Sequence, residues 1–263
     1  MNGAFYIGAT GLRSEQQALD VVANNIANMN TPAFKRAQVR FSELVGAATV
    51  DPKDGTVPSA AVAAAAADAL AGVKADASPR VFTQGALQPT GQSLDLAISG
   101  DGFIELMGAG GQTSLWRGGT LKVNADGYLA AADADLPLKA MISVPTGATN
   151  LVIDSGGQVH ATLPGAAQPA VIGQVDLVMP KDADAVEAVG GELYRAPTNA
   201  RLTSVAPGDE GAGTLVQGSL EQSNVQLTDE MVTMLLIQRA YAANAQVVQA
   251  GDQLMSIANG LRR

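Results

Sequence analysis

The chain has 263 residues, 47% of them hydrophobic, and a formal net charge of −9. This composition is typical of a folded protein with a real core, and it argues against nucleic acid as a partner, because phosphate binding requires clustered Lys and Arg. Cysteine is absent, which excludes disulfides and thiolate metal sites.

The first predicted element is a heptad helix over roughly residues 4–29. Its apolar positions recur at intervals of seven. They are Leu12, Leu19 and Ile26 in one series, and Val22 and Met29 in the other. Glu15 interrupts this seam, and Pro32 should end the helix near Asn30, because the residue before a proline disfavours helical backbone. Residues 1–32 are therefore predicted to be an N-terminal coiled-coil helix.

The same N-terminal segment bears on localisation. It has no basic region with a continuous apolar run after it, since Asn24, Asn25 and Asn28 interrupt the apolar residues of the helix. Neither a cleavable secretory signal nor a membrane span is expected. These signals alone would predict a cytoplasmic protein.

Residues 33–79 are predicted to form an extended link and an Ala-rich insertion. Ala dominates from Gly46 to Ser78, with Pro and Gly residues between the alanines. Ala favours helix, but the segment has too few large apolar side chains to dock one firmly. We expect it to be weakly structured.

The pattern changes over residues 80–200, where short apolar runs alternate with turn residues. Leu94, Leu96 and Ile98 have the period of two that indicates a strand with one buried face. The candidate strands are 94–99, 103–107, 121–123, 128–130, 151–153, 159–163 and 171–179. Such strands with Gly-rich turns indicate an antiparallel β domain, barrel-like or a sandwich. Residues 201–227 are assigned to a return link.

The last predicted element is a C-terminal helix over residues 228–263. Its apolar residues are spaced alternately four and three apart, as in a coiled-coil seam. They are Leu236, Ala240, Ala243, Val247, Ala250, Leu254, Ile257 and Leu261. Thr228, followed by Asp229 and Glu230, is predicted to cap the helix, which would be about 50 Å long at 1.5 Å per residue.

The predicted fold class is therefore α+β, with two long terminal helices and a central antiparallel β domain. The helices could instead pack on an ordinary globular core. Narrow heptads rich in small residues favour pairing with each other or with neighbouring chains.

The charge distribution agrees with contact-forming ends. Residues 1–44 carry four basic and three acidic side chains, and residues 228–263 carry three of each, so that the middle of the chain holds a net −10. Near-neutral ends suit helices that contact other chains.

Little in the sequence predicts catalysis. His160 is the sole histidine and lies in a strand pattern, where a structural or exposed role is favoured. Asp101, Asp126 and Asp154 each precede or closely approach a glycine but lack the spacing of a calcium loop. Trp116 is expected in the core rather than as an interface anchor. We predict a protein that is not an enzyme, with no catalytic, cofactor-binding or metal-binding residues.

Three ordered motifs lie at the two ends and in the middle of the chain. The first covers 22–36 with Asn24, Asn25, Asn28 and Phe34; the second covers 94–103 with Gly100, Gly102 and Phe103; the third covers 218–225 and 238–241 with Ser223, Asn224, Gln238, Arg239 and Tyr241. Together they closely resemble the signatures of bacterial flagellar rod and hook proteins. Length and the runs 26–36 and 221–241 are most similar to the distal-rod members, although 116–121 matches the family only loosely.

The resemblance implies a mechanical function. Both terminal helices would form coiled coils in the inner wall of a hollow helical tube, with the β domain at the periphery, and the tube would transmit torque to the hook and serve motility. The implied partners are further copies of the chain, other rod, hook and ring proteins, and the flagellar type III export apparatus, with neither nucleic acid nor membrane insertion. Export without a cleaved signal would place the protein in the periplasm-spanning rod, which replaces the cytoplasmic expectation.

Other functions stay open at this point. A proximal-rod paralogue shares the same architecture. A hook-type protein is disfavoured, because hook proteins usually carry an additional outer domain. In a different class, a carbohydrate- or metal-binding β domain would rest on the acidic turns alone.

Overall fold

A computed structural model of the chain describes residues 2–44, 72–76, 80–108, 113–165, 168–181, 186–190, 192–197 and 200–260. Two helices, α1 (Asn2–Ala27) and α2 (Leu227–Gly260), flank a run of antiparallel strands, which confirms the predicted α+β class. The predicted Ala-rich stretch from Gly46 to Ser78, apart from 72–76, and Leu261 lie outside the described residues.

The chain divides into two compact units. The helix unit comprises Met1–Ile26, Gln38–Ser78 and Leu227–Arg263, and the β unit comprises Ala27–Ala37 and Pro79–Gln226. Both units therefore contain residues from distant parts of the sequence.

In the helix unit, α1 and α2 run antiparallel and approach closely. A Cβ atom built on Gly251 of α2 would lie 3.2 Å from the Phe5 ring, near the start of α1. Near the end of α1, the buried Asn25 amide donates to the Glu230 carboxylate at 3.3 Å. α1 ends at Ala27, slightly before the predicted end, so that Met29 follows the helix rather than extending its seam.

An antiparallel ribbon completes the described part of the helix unit. Its strands are β1 (Arg40–Leu44) and β2 (Gly72–Asp76), with Arg40 opposite Asp76. The Ser14 hydroxyl of α1 donates to the Val73 carbonyl at 2.9 Å. The segment predicted as an extended link thus contributes paired strands.

The strands of the β unit are short. They are β3 (Leu87–Pro89), β4 (Asp95–Ser99), β5 (Phe103–Met107), β6 (Thr113–Trp116), β7 (Gly118–Val123), β8 (Leu129–Ala131), β9 (Thr149–Ile153), β10 (Gln158–Thr162), β11 (Pro169–Gln174), β12 (Leu177–Pro180), β13 (Glu187–Gly190), β14 (Leu193–Arg195), β15 (Leu202–Val205), β16 (Thr214–Gln217) and β17 (Ser219–Glu221). Among the described residues, they form sheets in the orders β13-β14-β6-β5-β12-β15, β16-β4-β7-β8, β11-β10-β9 and β17-β3.

The core of the β unit comes from the alternating apolar positions. Leu96 and Ile98 of β4 are fully buried, as are Leu106, Leu129 and Leu177 on other strands. Trp116 is 2% exposed, which agrees with the prediction that it packs in the core. Burial of these side chains is the main favourable free-energy term for this unit.

The predicted hairpin turns form as side-chain chemistry dictates. The side-chain Oδ1 of Asn124 accepts from the backbone amides of Asp126 at 3.1 Å and Tyr128 at 2.8 Å. An Asp154 carboxylate oxygen accepts from the Gln158 amide at 2.8 Å in the second turn. Both side chains act as the local acceptors that favour tight turns.

Two predictions from the sequence are wrong. The run 171–179 is not one strand, because β11 ends at Gln174 and β12 begins at Leu177. Residues 201–227 are not a return link, because they supply β15, β16 and β17. Strand β16 pairs with β4 along its whole length, with Thr214 opposite Ser99. These three strands are short and depend on such pairing rather than on long apolar runs of their own.

Candidate functional site

The three sequence motifs meet around one buried carboxylate in the β unit. Glu221 has one oxygen 2.6 Å from the Lys35 ammonium and the other 3.3 Å from the Arg117 guanidinium. Their side chains are at most 2% exposed. The Gly85 amide donates to Glu221 at 2.8 Å, and Lys35 also donates to the Thr83 carbonyl at 3.0 Å. This charged cluster therefore joins segments that lie far apart in the chain.

Arg117 connects the cluster to the central motif. Its guanidinium donates to the carbonyls of Gly100 and Gly102 and lies 5.8 Å from the Phe103 ring centroid. Gly100 and Gly102 have φ of 112° and 127°, a region that L side chains rarely adopt. These glycines allow the backbone to turn two nearby carbonyl groups toward one cation.

In this cluster, the cost of burying charges opposes the attraction between them. Two cations face one anion, and burial lowers the pKa of Lys35, partly offset by the Glu221 charge. A buried ion pair is tolerated when further hydrogen bonds satisfy its donors and acceptors, as the carbonyls of Thr83, Gly100 and Gly102 do here. The arrangement holds chain segments together rather than exposing a reactive group.

The side-chain amide of Asn224 forms hydrogen bonds with backbone groups near this cluster. Its oxygen accepts from the Arg36 backbone amide at 2.7 Å, and its nitrogen donates to the carbonyls of Val81 at 2.7 Å and Thr83 at 3.0 Å. The Ser223 hydroxyl accepts from the Val225 amide at 3.3 Å. Ser223 and Asn224 of the third motif thus bind backbone groups near the end of the β unit.

Residues of the first motif have separate positions. Asn25 is buried against Glu230, whereas Asn24 is exposed on α1. The Asn28 side chain accepts from the Thr31 hydroxyl at 3.2 Å, just after the helix. Phe34 lies under the Arg80 guanidinium, 4.9 Å from ring centroid to cation. The structure brings this motif together with the others mainly through its second half.

The β unit also contains a half-buried carboxyl group, that of Glu192, whose Oε2 atom is shielded from solvent and which was not anticipated from the sequence. Glu192 lies beside Trp116, which donates a hydrogen bond to it, and its Oε2 has no partner among the described residues. Burial raises the pKa of Glu192 to about 7, and the nearby Asp133 charge acts in the same direction. Glu192 has a φ of 63° and lies outside any regular apolar pattern, so that the periodicity of the sequence does not indicate its position.

The predicted seam of α2 is exposed rather than buried against α1. Leu236, Val247, Leu254 and Ile257 are between 53% and 62% exposed, and Ala240, Ala243 and Ala250 are also exposed. Of the predicted α1 positions, Val22 is 3% exposed, while Leu12, Leu19 and Ile26 are partly buried. The exposed stripe on α2 stays a prediction for contact with other chains. The rest of the third motif, Gln238, Arg239 and Tyr241, is exposed on the same helix.

The face of α2 that meets α1 contains polar and small residues instead. A Cβ atom on Gly8 would lie 2.5 Å from Val248, and one on Gly11 would lie 2.8 Å from the Asn244 amide. Asn244 donates to Glu15 at 2.7 Å. Glu15, which interrupts the apolar seam in the sequence, therefore lies in the helix contact, where burial raises its pKa.

Within the described residues, no group of three or more His, Cys, Asp or Glu side chains is arranged to hold a metal ion. His160 Nε2 lies 3.8 Å from the Asp154 carboxylate, at the edge of a hairpin. Over the described part of the chain, neither helix has the length and apolar character required to cross a membrane.

Comparison with known protein families gives the class of protein to which this fold and its buried motif cluster belong. Three family profiles match: "Flagella basal body rod protein" at residues 5–35, "Flagellar hook protein FlgE/F/G D1 domain" at 97–161 and "Flagellar basal body rod FlgEFG protein C-terminal" at 216–261. The matches cover both helices and the middle of the β unit.

Relatives extend this similarity over the whole chain. The flagellar basal-body rod protein FlgG of Caulobacter vibrioides is 32% identical, over 98% of this chain and 99% of its own. FlgG of Bacillus subtilis is 32% identical over 99% of each chain. Flagellar basal-body rod protein FlgF of Caulobacter vibrioides is 33% identical over 97% of this chain and 95% of its own. The chain belongs to the flagellar basal-body rod protein family.

Proposed function

We propose that the chain is a structural subunit of the distal rod of the flagellar basal body. Copies of it assemble into a hollow helical tube that transmits torque to the hook and serves motility. The observation that carries this proposal is the full-length similarity to FlgG proteins, with 32% identity over 98% of this chain for one of them.

The exposed stripe of α2 supports self-assembly. Leu236, Leu254 and Ile257 are each at least 60% exposed. Apolar side chains in a continuous row on one helix face mark an interaction surface. In the proposed tube, both terminal helices form coiled coils of the inner wall through this stripe and the seam of α1.

The remaining features follow from the same role. The terminal helices supply the wall of the tube, and the β unit supplies an antiparallel domain that is barrel-like or sandwich-like. The partners are copies of the chain, other rod, hook and ring proteins, and the export apparatus. The protein acts in the periplasm-spanning rod, turns over no substrate and needs no cofactor.

A proximal-rod role is the second candidate, because the FlgF relative is as similar in identity as the FlgG relatives, at 33% against 32%. Complementation separates the two. The gene should restore swimming to a strain of the source bacterium that lacks its distal-rod gene and should fail in a strain that lacks its proximal-rod gene. Rescue of the proximal-rod strain alone would reassign the chain.

A further inference from the structure

The helix unit has an apolar groove of about 430 Å³. Its lining includes Gly11 and Ser14 of α1, Phe41 and Val73 of the β1–β2 ribbon, and Leu236 and Ala240 of α2. Phe41 is 54% exposed and Leu236 is 60% exposed, so that large apolar side chains at its rim face solvent. Such a concave apolar surface suits an apolar side chain from a binding partner.

A matching convex feature lies farther along the same helix. Leu254 and Ile257, here called the ridge, are 62% and 60% exposed. Leu254 follows Ala240 by fourteen residues, which is about 21 Å along a helix. The ridge of a chain therefore cannot reach the groove of the same chain, since both lie on one continuous helix.

Charge indicates which partner occupies the groove. The segments 1–44 and 228–263 are almost neutral, whereas the rest of the chain carries −10. Identical copies would repel each other through their acidic middles. Contact through the neutral helices avoids most of that repulsion, and a second copy also supplies a ridge of the required apolar character.

We propose that the ridge of one copy inserts into the groove of the next copy. This inference rests on the proposed self-assembly and specifies its contact. Groove and ridge are different surfaces, so that a pair of copies retains one unused groove and one unused ridge. A contact of this heterologous kind does not close on itself in a pair and propagates into a helical array.

Disulfide cross-linking of the full-length chain tests the contact, because the natural sequence has no cysteine. The double variant Ala240→Cys/Leu254→Cys should form a ladder of disulfide-linked multimers after mild oxidation under assembling conditions. The matched control is Ala242→Cys/Ser256→Cys, with the same spacing and two exposed positions on another side of α2. We expect at least tenfold more cross-linked multimer from the first pair than from the control.

Mixing two blocked chains supplies an independent measurement. Ala240→Trp fills the groove and leaves the ridge, whereas Leu254→Asp disables the ridge and leaves the groove. Each variant alone should sediment as a monomer, and an equimolar mixture should give dimers that do not grow. Circular dichroism must match the unmodified chain for both variants, which excludes misfolding as the cause.

The outcomes separate this inference from the proposed function. If the unmodified chain forms tubes but the 240/254 pair cross-links no more than the control, the groove-to-ridge contact is wrong and the rod function stands. Dimers formed by Ala240→Cys alone in preference to the mixed pair would also overturn it, because they require groove to meet groove. If the unmodified chain forms no assembly and no cross-links, both proposals fail.

Discussion

Glu221 shows how single residues explain the sequence motifs. Its carboxylate binds Lys35 of the first motif directly. It also binds Arg117, whose guanidinium donates to the carbonyls of Gly100 and Gly102 in the second motif. The segment around Arg117 matches the family pattern only loosely, yet its cation occupies the centre of the cluster. The motifs could be predicted from the sequence but their meeting point could not, because pairing between distant segments has no local period.

The first prediction concerns this carboxylate. Glu221→Gln should lower the free energy of unfolding by about 3–5 kcal/mol, since it leaves two buried cations without their anion. Asp135→Asn is the control, because its ion pair with Lys122 is exposed, 71% on the Asp135 side, and should change the same quantity by less than about 1 kcal/mol. Denaturant titration measures both, and equal effects of the two changes would contradict the account.

The second prediction concerns pH. The pKa of Glu192 is raised to about 7 in the folded chain from an ordinary value of 4.5, so that its protonated form is favoured by folding. The resulting stability is fully present below pH 4.5 and is lost as pH rises through about 7.

In the unmodified chain, the ionisation of Glu192 should lower the unfolding free energy by at most about 3 kcal/mol between pH 4.5 and 8. Glu192→Gln should lack this decrease. Denaturant titration at several pH values in this range measures the unfolding free energy of the unmodified chain and of Glu192→Gln. Parallel pH profiles for the two forms would show that folding does not raise the pKa of Glu192.

At the level of elements, the sequence predicted those features that have a short period and a local turn. The hairpins around Asn124 and Asp154 follow from alternating strands and known turn chemistry. The strands in 201–227 were missed, because each is only three or four residues long and relies on pairing with strands remote in sequence. Local pattern cannot reveal such pairing.

The sequence left open whether the apolar stripe of α2 meets α1 or another chain, for a related reason. The face that meets α1 carries Glu230, Asn244 and Gly251, which do not register as an apolar stripe. The larger apolar residues lie on the outward face. A stripe predicts an interface without specifying which chain provides the partner.

The third prediction tests close packing of the helices. Glycine normally weakens a helix relative to alanine, so that Gly8→Ala would stabilise an unpacked α1. Here the new Cβ would lie 2.5 Å from the stiff Val248 side chain. We expect a loss of about 1–3 kcal/mol in unfolding free energy.

Adding Val248→Ala to Gly8→Ala should recover part of this loss, because it removes the atom that clashes. Thermal unfolding followed at the helical circular-dichroism band measures both variants. A more stable Gly8→Ala chain would mean that α1 and α2 are not packed this closely in solution.

At the scale of the whole molecule, charge separates two regions of different roles. In the proposed assembly, the near-neutral terminal segments contact other copies, and the acidic middle, with a net −10, keeps the remaining surfaces apart. The distribution of charge along the sequence predicts this division. It could not predict which helix face is exposed, since that depends on how α1 and α2 pack.

The fourth prediction is that salt promotes assembly. Repulsion between acidic middles weakens as the Debye length falls from about 30 Å at 0.01 M to about 10 Å at 0.1 M ionic strength. The critical concentration for assembly, measured by sedimentation, should therefore decrease with added NaCl. An increase would indicate that attractive ion pairs, rather than apolar helix contacts, hold the copies together.

Electron microscopy of the purified full-length chain under assembling conditions tests the central proposal most directly. The unmodified chain should form hollow helical tubes. Leu254→Asp should form none while keeping the same circular-dichroism spectrum, because an exposed apolar position becomes a charge that assembly would have to desolvate. A chain that stays monodisperse under all such conditions, or Leu254→Asp tubes indistinguishable from those of the unmodified chain, would contradict a rod subunit assembled through the exposed stripe of α2.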